Sequence, residues 1–390
     1  MKALNYLVLL FILVLLAGCN PKEVPADLQE QLDSISAAMV PQHAESLCDV
    51  AMVMGKDGSI TVKGETNLAE AKEEILAMMG RSGYSFSDSI TLLPDTSVVK
   101  SPWGLVSVSV CNVRTRPSHA AEMATQALMG TPVKILNKRG GWLLIQMPDL
   151  YIGWTDDPVS EMTDDELNNW KKSDRLIYME HTGVITDNSG QTVSDAVFGM
   201  IVQKTGEMGY SCMVKFPDGR EGQVKKTEVA DFRKWAESVE PDADKMIKFA
   251  GLFLGSPYLW GGTSTKGVDC SGFVKTIYYS GGIILRRDAS GQYKYGLERS
   301  IEIPCDSLAP GDLLFFGRVR DGKKRITHTG MYIGDTEFIH SSRLVRINSF
   351  DSTRTNYSEY LLGILQGAKR IIGVAPGEGM ERVSQHSWYF

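Results

Sequence analysis

The sequence lacks any basic surplus. Its 390 residues carry 41 lysines and arginines against 47 aspartates and glutamates, a formal net charge of −6. A protein that grips nucleic acid through its phosphates would show a basic stripe, so no nucleic-acid partner is expected. A cationic or zwitterionic small substrate is not excluded. There is no Cys-x-x-Cys pair, and the six cysteines are widely spaced. Zinc sites and disulfide frameworks therefore find little support. Histidine is scarce, at six residues. Beyond the first nineteen residues no segment offers the run of about 20 apolar residues that a spanning helix needs. What is present is a 43% hydrophobic, 23% charged chain, the balance of a folded protein rather than a disordered one. At roughly 150 residues per domain, its length allows two to four domains.

The leading segment is a separate matter. Lys2 supplies a positive charge, residues 6–16 are unbroken apolar sequence, and Leu16-Ala17-Gly18-Cys19 closes the run. This is too short to span a bilayer comfortably and fits the apolar region of a signal peptide. Small residues before a cysteine resemble the bacterial lipobox, which implies a leader over 1–18, acylation of Cys19 and an exported lipoprotein held at the periplasmic face by its lipid. Setting Cys19 aside leaves Cys48, Cys111, Cys212, Cys270 and Cys305. An odd count in an exported protein points to one thiol with a task, and burial as small hydrophobes is expected for the rest.

Residues 19–100 read as a tether followed by a small α/β domain. Leu28, Leu32, Ile35 and Met39 fall at helical spacing, 59–65 alternates like a strand, and Asn67 is a plausible N-cap for a helix over 68–79. A further strand is expected over 89–93. From Trp103 the pattern changes to short strands with turn punctuation: an alternating stretch at 106–113, a strand at 132–136, and Gly140-Gly141 turning into Trp142-Leu143-Leu144-Ile145. This resembles a bacterial SH3-like barrel over 101–160. The pattern partly recurs, so 161–235 is expected to hold a connecting helix, started by the capping box Thr163-Asp164-Asp165-Glu166, and a second, more divergent barrel. The remainder, 240–376, reads helix first and strands later. Residues 377–390 form a tail with no legible pattern.

The densest chemistry lies in Pro257-Tyr258-Leu259-Trp260-Gly261-Gly262 and Gly267-Val268-Asp269-Cys270-Ser271-Gly272-Phe273-Val274. Glycines demand a tight loop, and the apolar run begins a helix with Cys270 in its first turn. The helix dipole and unpaired N–H groups there favour a thiolate and can form part of an oxyanion hole. A thiolate needs a base, and His328 and His340 fall on adjacent expected strands, where a hairpin can bring them together. Taken singly, each has a plainer reading: cysteine packing at a helix start, histidines in satisfied core or on the surface.

Together these residues resemble the NlpC-type papain-like cysteine peptidases that cleave bacterial cell-wall peptides. The resemblance covers 244–374 and includes Leu308-Ala309-Pro310-Gly311-Asp312-Leu313 and His328-Thr329-Gly330-Met331-Tyr332-Ile333-Gly334. It implies a papain-like α+β domain over 240–376 preceded by two small SH3-like β-barrels and a small N-terminal α/β domain, with Cys270 as nucleophile, His328 as general base and His340 orienting it. Tyr258 would line the site and help bind the oxyanion. Pro310-Gly311-Asp312 is read as a structural turn. No metal and no organic cofactor is expected.

A subgroup with preceding SH3-like barrels resembles this chain over 103–374: the γ-D-glutamyl-L-diamino acid endopeptidases, also called dipeptidyl-peptidase VI. There the first barrel walls off the cleft. The resemblance implies that Glu122, Tyr151 and Asp269 receive the ammonium of an N-terminal L-alanine, and that Trp260 and Ser271 line the substrate site. Arg287 and Asp288, in Leu285-Arg286-Arg287-Asp288-Ala289-Ser290, would shape the D-glutamate region. Glu122 reads equally as a solvated loop charge, Tyr151 as barrel core, and Arg287 as an ion-pair partner of Asp288. Arg286 stands where the family usually has proline, and Ala289 where a serine is common. The partners implied are peptidoglycan-derived peptides and, through the lipid, a membrane; neither oligomeric state nor diamino acid is set by the sequence. Rival expectations are a hydrolase of intact wall cross-links and a non-catalytic wall-binding lipoprotein.

Overall fold

The structure is a computed structural model that describes residues 23–40, 45–302 and 305–390. The expected leader, the 19–22 part of the tether and Cys19 lie outside the described residues. The chain forms two compact units, one within 1–39 and 48–91, the other made of 40–47 and 92–390.

In the first unit a three-stranded sheet runs in the order Cys48–Met54, Ile60–Thr66, Phe86–Leu92, the first two strands antiparallel. Helices Ala26–Met39 and Ala69–Arg81 contribute Leu28, Leu32, Ile75 and Met79 to the same core as Met52, Ile60 and Val62. The strand Cys48–Met54 escaped sequence reading. The second helix is capped by Leu68 rather than Asn67, without a side-chain cap. Thr66 Oγ1 instead accepts the Leu68 N–H, so the turn is closed one residue later than its asparagine indicates.

The second unit opens with two seven-stranded antiparallel sheets. Numbering the strands of each from one to seven along the chain, both follow the spatial order 7-1-4-5-6-2-3. The two barrels thus share one topology. The alternating stretch 106–113 is not one strand but two, Trp103–Val106 and Val110–Arg114. Between them Ser107, almost fully buried, places its hydroxyl near Leu105 O and Ser160 Oγ and turns a corner that the alternation conceals. The helix Asp164–Lys172 carries the expected capping box between Thr163 and Glu166. The second barrel follows in strands between Arg175 and Asp231.

The C-terminal part is an α+β layer structure. Its six-stranded sheet runs Leu297–Arg299, Leu365–Arg370, Leu313–Arg320, Lys323–Gly334, Glu337–Ser342, Leu344–Ser349. One face packs on helices Ala243–Gly251 and Cys270–Ser280 through Phe253, Phe273, Ile277, Leu313, Phe315 and Met331. The opposite face buries Phe316, Phe338 and Phe350. The Pro310-Gly311-Asp312 turn is structural. Asp312 receives Arg370 Nε and Nη2, each at 2.7 Å, while Tyr278 donates to Gly311 O.

The unread tail is an interdomain joint. Met380–Arg382 pairs with Ile283–Leu285. His386 Nε2 lies 3.0 Å from Pro148 O of the first barrel, and Trp388 stacks edge-on against Trp103. Tyr389 and Phe390 pack on Phe232 after the second barrel. The chain end therefore joins both barrels to the α+β domain.

Candidate active site

Asp269 caps the helix Cys270–Ser280 by accepting the Gly272 N–H at 2.7 Å, which fixes Cys270 as the first helical residue, 8% exposed. The backbone N–H groups of Ser271 and of Thr329 on the neighbouring strand both favour the Cys270 thiolate. The second of these ties the cysteine to the strand that carries His328. His328 Nε2 lies 2.8 Å from His340 Nδ1, and His340 Nε2 lies 2.9 Å from Asn348 Oδ1. Asn348 was not singled out from the sequence. Its signal is a polar residue eight positions beyond His340, on the next strand of the sheet.

The relay has a direction. Asn348 Nδ2 donates to Asn356 O at 2.8 Å, so Oδ1 faces His340 as an acceptor. His340 Nε2 must then be the donor, which leaves its Nδ1 as an acceptor in the neutral ring. His328 Nε2 consequently carries its proton, and His328 Nδ1 keeps a free lone pair. This is the tautomer a base needs.

The expected low thiol pKa is not what the site holds at rest. Burial and the adjacent Asp269 carboxylate push the Cys270 thiol up to about 11, outweighing the pull of the Thr329 and Ser271 N–H groups. Burial, then the neighbouring His340, holds His328 down to about 3, and burial brings His340 to about 4. Tyr258 lines the cleft beside Cys270, and its hydroxyl is raised in pKa, mainly by burial.

A cleft of about 250 Å³ gathers Cys270 with Glu122 and Tyr151 of the first barrel and with Tyr258, Trp260, Asp269, Ser271, Arg287 and Asp288. Trp260 Nε1 donates to Glu122 Oε1 at 2.6 Å, joining barrel and loop at the cleft mouth. Tyr151 answers to both of its readings. Its ring is in the barrel core and only 9% exposed, and it lines the cleft together with Asp288. Asp288 is raised in pKa, chiefly by burial.

Arg287 lines the cleft and does not make the ion pair with Asp288 that its plainer reading offered. It is 2% exposed and grips Asp269, not Asp288, with Nη2–Oδ2 at 2.5 Å and Nη1–Oδ1 at 3.2 Å. It also donates to Ser271 Oγ and, through Nε, to Thr125 Oγ1 of the barrel. Asp269 further accepts the Gly261 N–H, so its oxygens are committed to holding loop, helix start and arginine together. Arg286, in place of proline, is 4% exposed and donates to Asp149 O of the barrel at 3.2 Å. Gln292 secures this segment by donating to Arg286 O and Ser271 O. Gln126 of the barrel was also missed. It accepts from Thr263 N and Ser264 Oγ through one side-chain oxygen and docks the barrel beside the glycine-rich loop.

Cys48, Cys111, Cys212 and Cys305 carry free thiols, as does Cys270. Cys111, Cys212 and Cys305 are buried and Cys48 half-buried.

A buried cysteine at a helix start, set against an imidazole relay on an antiparallel sheet, defines a papain-like cysteine hydrolase. Residues 255–366 match the family model for the NlpC/P60 family, and residues 113–157 match that for the bacterial dipeptidyl-peptidase SH3 domain. The chain is 30% identical over 240 residues to the gamma-D-glutamyl-L-lysine dipeptidyl-peptidase of Bacillus cereus, covering 59% of this chain and 70% of that protein. It is 24% identical to the dipeptidyl-peptidase 6 of Lysinibacillus sphaericus, covering 66% of this chain and 95% of that one. A crystal structure of an NlpC/P60 family protein from Bacillus cereus superposes with a TM-score of 0.60 at 24% identity, over 69% of this chain and 99% of the other. The chain belongs to the NlpC/P60 family of cysteine peptidases.

Proposed function

We propose that the protein hydrolyses the amide between γ-D-glutamate and the diamino acid in peptidoglycan-derived peptides whose N-terminal L-alanine is free. What carries this reading is that Glu122 and Tyr151, supplied by the first barrel, line the same cleft as Cys270. A sheltered ammonium requires carboxylate and hydrogen-bonding partners. Glu122, Tyr151 and Asp269 are the proposed receptors, with Asp288 as a further carboxylate beside the Tyr151 hydroxyl. Because Asp269 is already held by Arg287, its share is chiefly the local field.

Cys270, His328, His340, Tyr258 and Asn348 divide the chemistry. His328 Nδ1 takes the thiol proton as the sulfur attacks the γ-carbonyl carbon, forming the S–C bond. The oxyanion is received by the Tyr258 hydroxyl and the N–H groups of the helix start. His328 then hands its proton to the departing amine as the C–N bond breaks, and water cleaves the thioester to release L-Ala-D-Glu. His340, anchored by Asn348, keeps His328 in the productive tautomer. A required free amine spares uncut wall, whose alanine is amide-linked to sugar, and fits a turnover enzyme. The lipobox-like Leu16-Ala17-Gly18-Cys19 supports a lipid anchor and an envelope location; Cys19→Ser would shift the protein from the membrane to the soluble fraction.

The test is cleavage of L-Ala-γ-D-Glu-diaminopimelate and its N-acetylated form by protein starting after Cys19, followed by mass spectrometry with Cys270→Ala as control. Release of L-Ala-D-Glu from the free-amine peptide alone is expected. Equal cleavage of both would overturn amine recognition and favour a hydrolase of intact wall.

A further inference from the structure

Eight residues of the catalytic hairpin, 318–325, hold five cations: Arg318, Arg320, Lys323, Lys324 and Arg325, against one acid, Asp321. They extend the strands Leu313–Arg320 and Lys323–Gly334 beyond the body of the sheet. The register sets Arg318 opposite Arg325 and Arg320 opposite Lys323. Side chains directly opposite one another, and those two positions apart, share a face of the ribbon. Arg318, Arg320, Lys323 and Arg325 therefore form one exposed tetrad. Lys324 is on the other face, where it donates to Tyr293 Oη and Gln366 O.

Like charges directly opposite in a ladder are destabilising. Here there are two such pairs in succession. Among the described residues, no ion pair within 4.0 Å relieves any of the four. The ladder also continues the sheet face of the catalytic relay: Phe316 pairs with His328, the register shifts there, and Arg318 pairs with Arg325. Ile326 and Thr327, between tetrad and histidine, line the cleft.

The proposed chemistry gives this position a meaning. The histidine that protonates the leaving amine is on the leaving-group side of the scissile bond. With the ammonium held among Glu122, Tyr151 and Asp269, and Asp288 beside them, the acyl half of the substrate occupies the barrel side of the cleft. The departing diamino acid then emerges past His328 and Thr327, towards the tetrad. What it presents there is negative charge: its own α-carboxylate, and, for diaminopimelate, a second carboxylate that lysine lacks.

We propose that the Arg318–Arg320–Lys323–Arg325 face is a receptor for the carboxylates of the leaving diamino acid and selects diaminopimelate peptides over lysine peptides. The inference rests on the γ-D-glutamyl peptidase reading above. Because the tetrad is exposed, its attraction operates within the Debye length of about 8 Å and fades with salt.

The experiment compares kcat/KM for L-Ala-γ-D-Glu peptides ending in L-Lys-amide, L-Lys and meso-diaminopimelate. Their leaving groups carry zero, one and two carboxylates. Full-length protein and the fourfold variant R318Q/R320Q/K323Q/R325Q are assayed in 20 mM and 500 mM NaCl. At low salt the wild type is expected to prefer diaminopimelate over the lysine amide by about 10-fold, the ratio that two exposed contacts of ~0.7 kcal/mol each would give. The variant and high salt should each bring that ratio near one with the amide rate unchanged. A ratio that the variant leaves intact overturns the receptor while the parent reading stands. Cleavage of none of the three peptides by wild type overturns the parent reading and the receptor with it. A variant that keeps its ratio but loses adsorption to vesicles of 30% anionic lipid would assign the tetrad to a membrane surface instead.

Discussion

Asn348 makes the sharpest demand on the site. It touches neither sulfur nor cleft, yet the direction of the whole relay follows from which way its amide faces. Its Oδ1 accepts from His340 and its Nδ2 donates to Asn356 O. In Asn348→Ala, His340, which is fully buried, loses the acceptor that selects its Nε2–H tautomer. Leaving a buried donor unsatisfied costs about 1–3 kcal/mol. The same energy separates the two tautomers of the relay, so kcat should fall roughly 5- to 150-fold at about 1.4 kcal/mol per factor of ten. KM should move little, since no substrate contact is lost. Asn348→Asp restores the acceptor in nearly the same shape and should recover most of kcat. Its carboxylate also raises the His340 pKa, so the acid limb of its pH–rate profile should lie at higher pH than in wild type. Rates are measured on the free-amine tripeptide, with circular dichroism confirming the folded fraction. Cleavage by Asn348→Ala within twofold of wild type, or an Asn348→Asp protein no better than Asn348→Ala, would refute the tautomer argument.

The buried histidines also make stability depend on pH. Their folded-state pKa values lie below 6.5, so their contribution is complete above about pH 6.5 and is lost as the unfolded chain takes up protons on acidification. Each contributes a slope of about 1.4 kcal/mol per pH unit once the unfolded histidine is protonated. His340→Gln should flatten urea-derived stability by that slope between pH 5.5 and 4.5, and an unchanged slope would contradict its neutral burial. Arg287→Met strands the buried Asp269 and should destabilise the peptidase unit by about 3–5 kcal/mol. In Arg287→Met/Asp269→Asn the uncompensated charge is gone, so the denaturant midpoint should partly recover. Tyr389→Ala removes a 3% exposed aromatic from the joint between the barrels and the α+β domain. A loss of about 3–5 kcal/mol is expected by analogy with other buried aromatic truncations, with faster limited proteolysis between the first barrel and residue 240.

What the sequence made legible has a common physical character: local rules with little latitude. A cysteine after Asp269, with Gly272 completing the turn, has to begin a helix, and a capping box has to start one at Thr163. Both hold in the structure. What stayed hidden depends on distance along the chain. Arg287 and Asp288 are neighbours, and adjacency invited their pairing. The fold instead offers Arg287 the helix-capping Asp269, 18 residues away, whose carboxylate is buried and needs a cation. The thiol pKa went astray for a related reason: the helix-terminus effect is readable from one dipeptide, whereas burial is a property of the assembled sheet, barrel and loop. The tail had no periodicity because its only regular elements are the three-residue strand Met380–Arg382 and one short 3-10 turn. Its His386, Trp388, Tyr389 and Phe390 meet partners from three domains, and no pattern within fourteen residues encodes that. Family motifs mark the residues that handle the scissile bond, while the residues that set their tautomer, charge and docking, namely Asn348, Gln126 and Arg286, are defined only by what folding brings beside them. The basic ladder shows the same division. Its five cations are plain in the sequence as a charge run, but the placement of four of them on the face that continues from His328 follows only from the strand register.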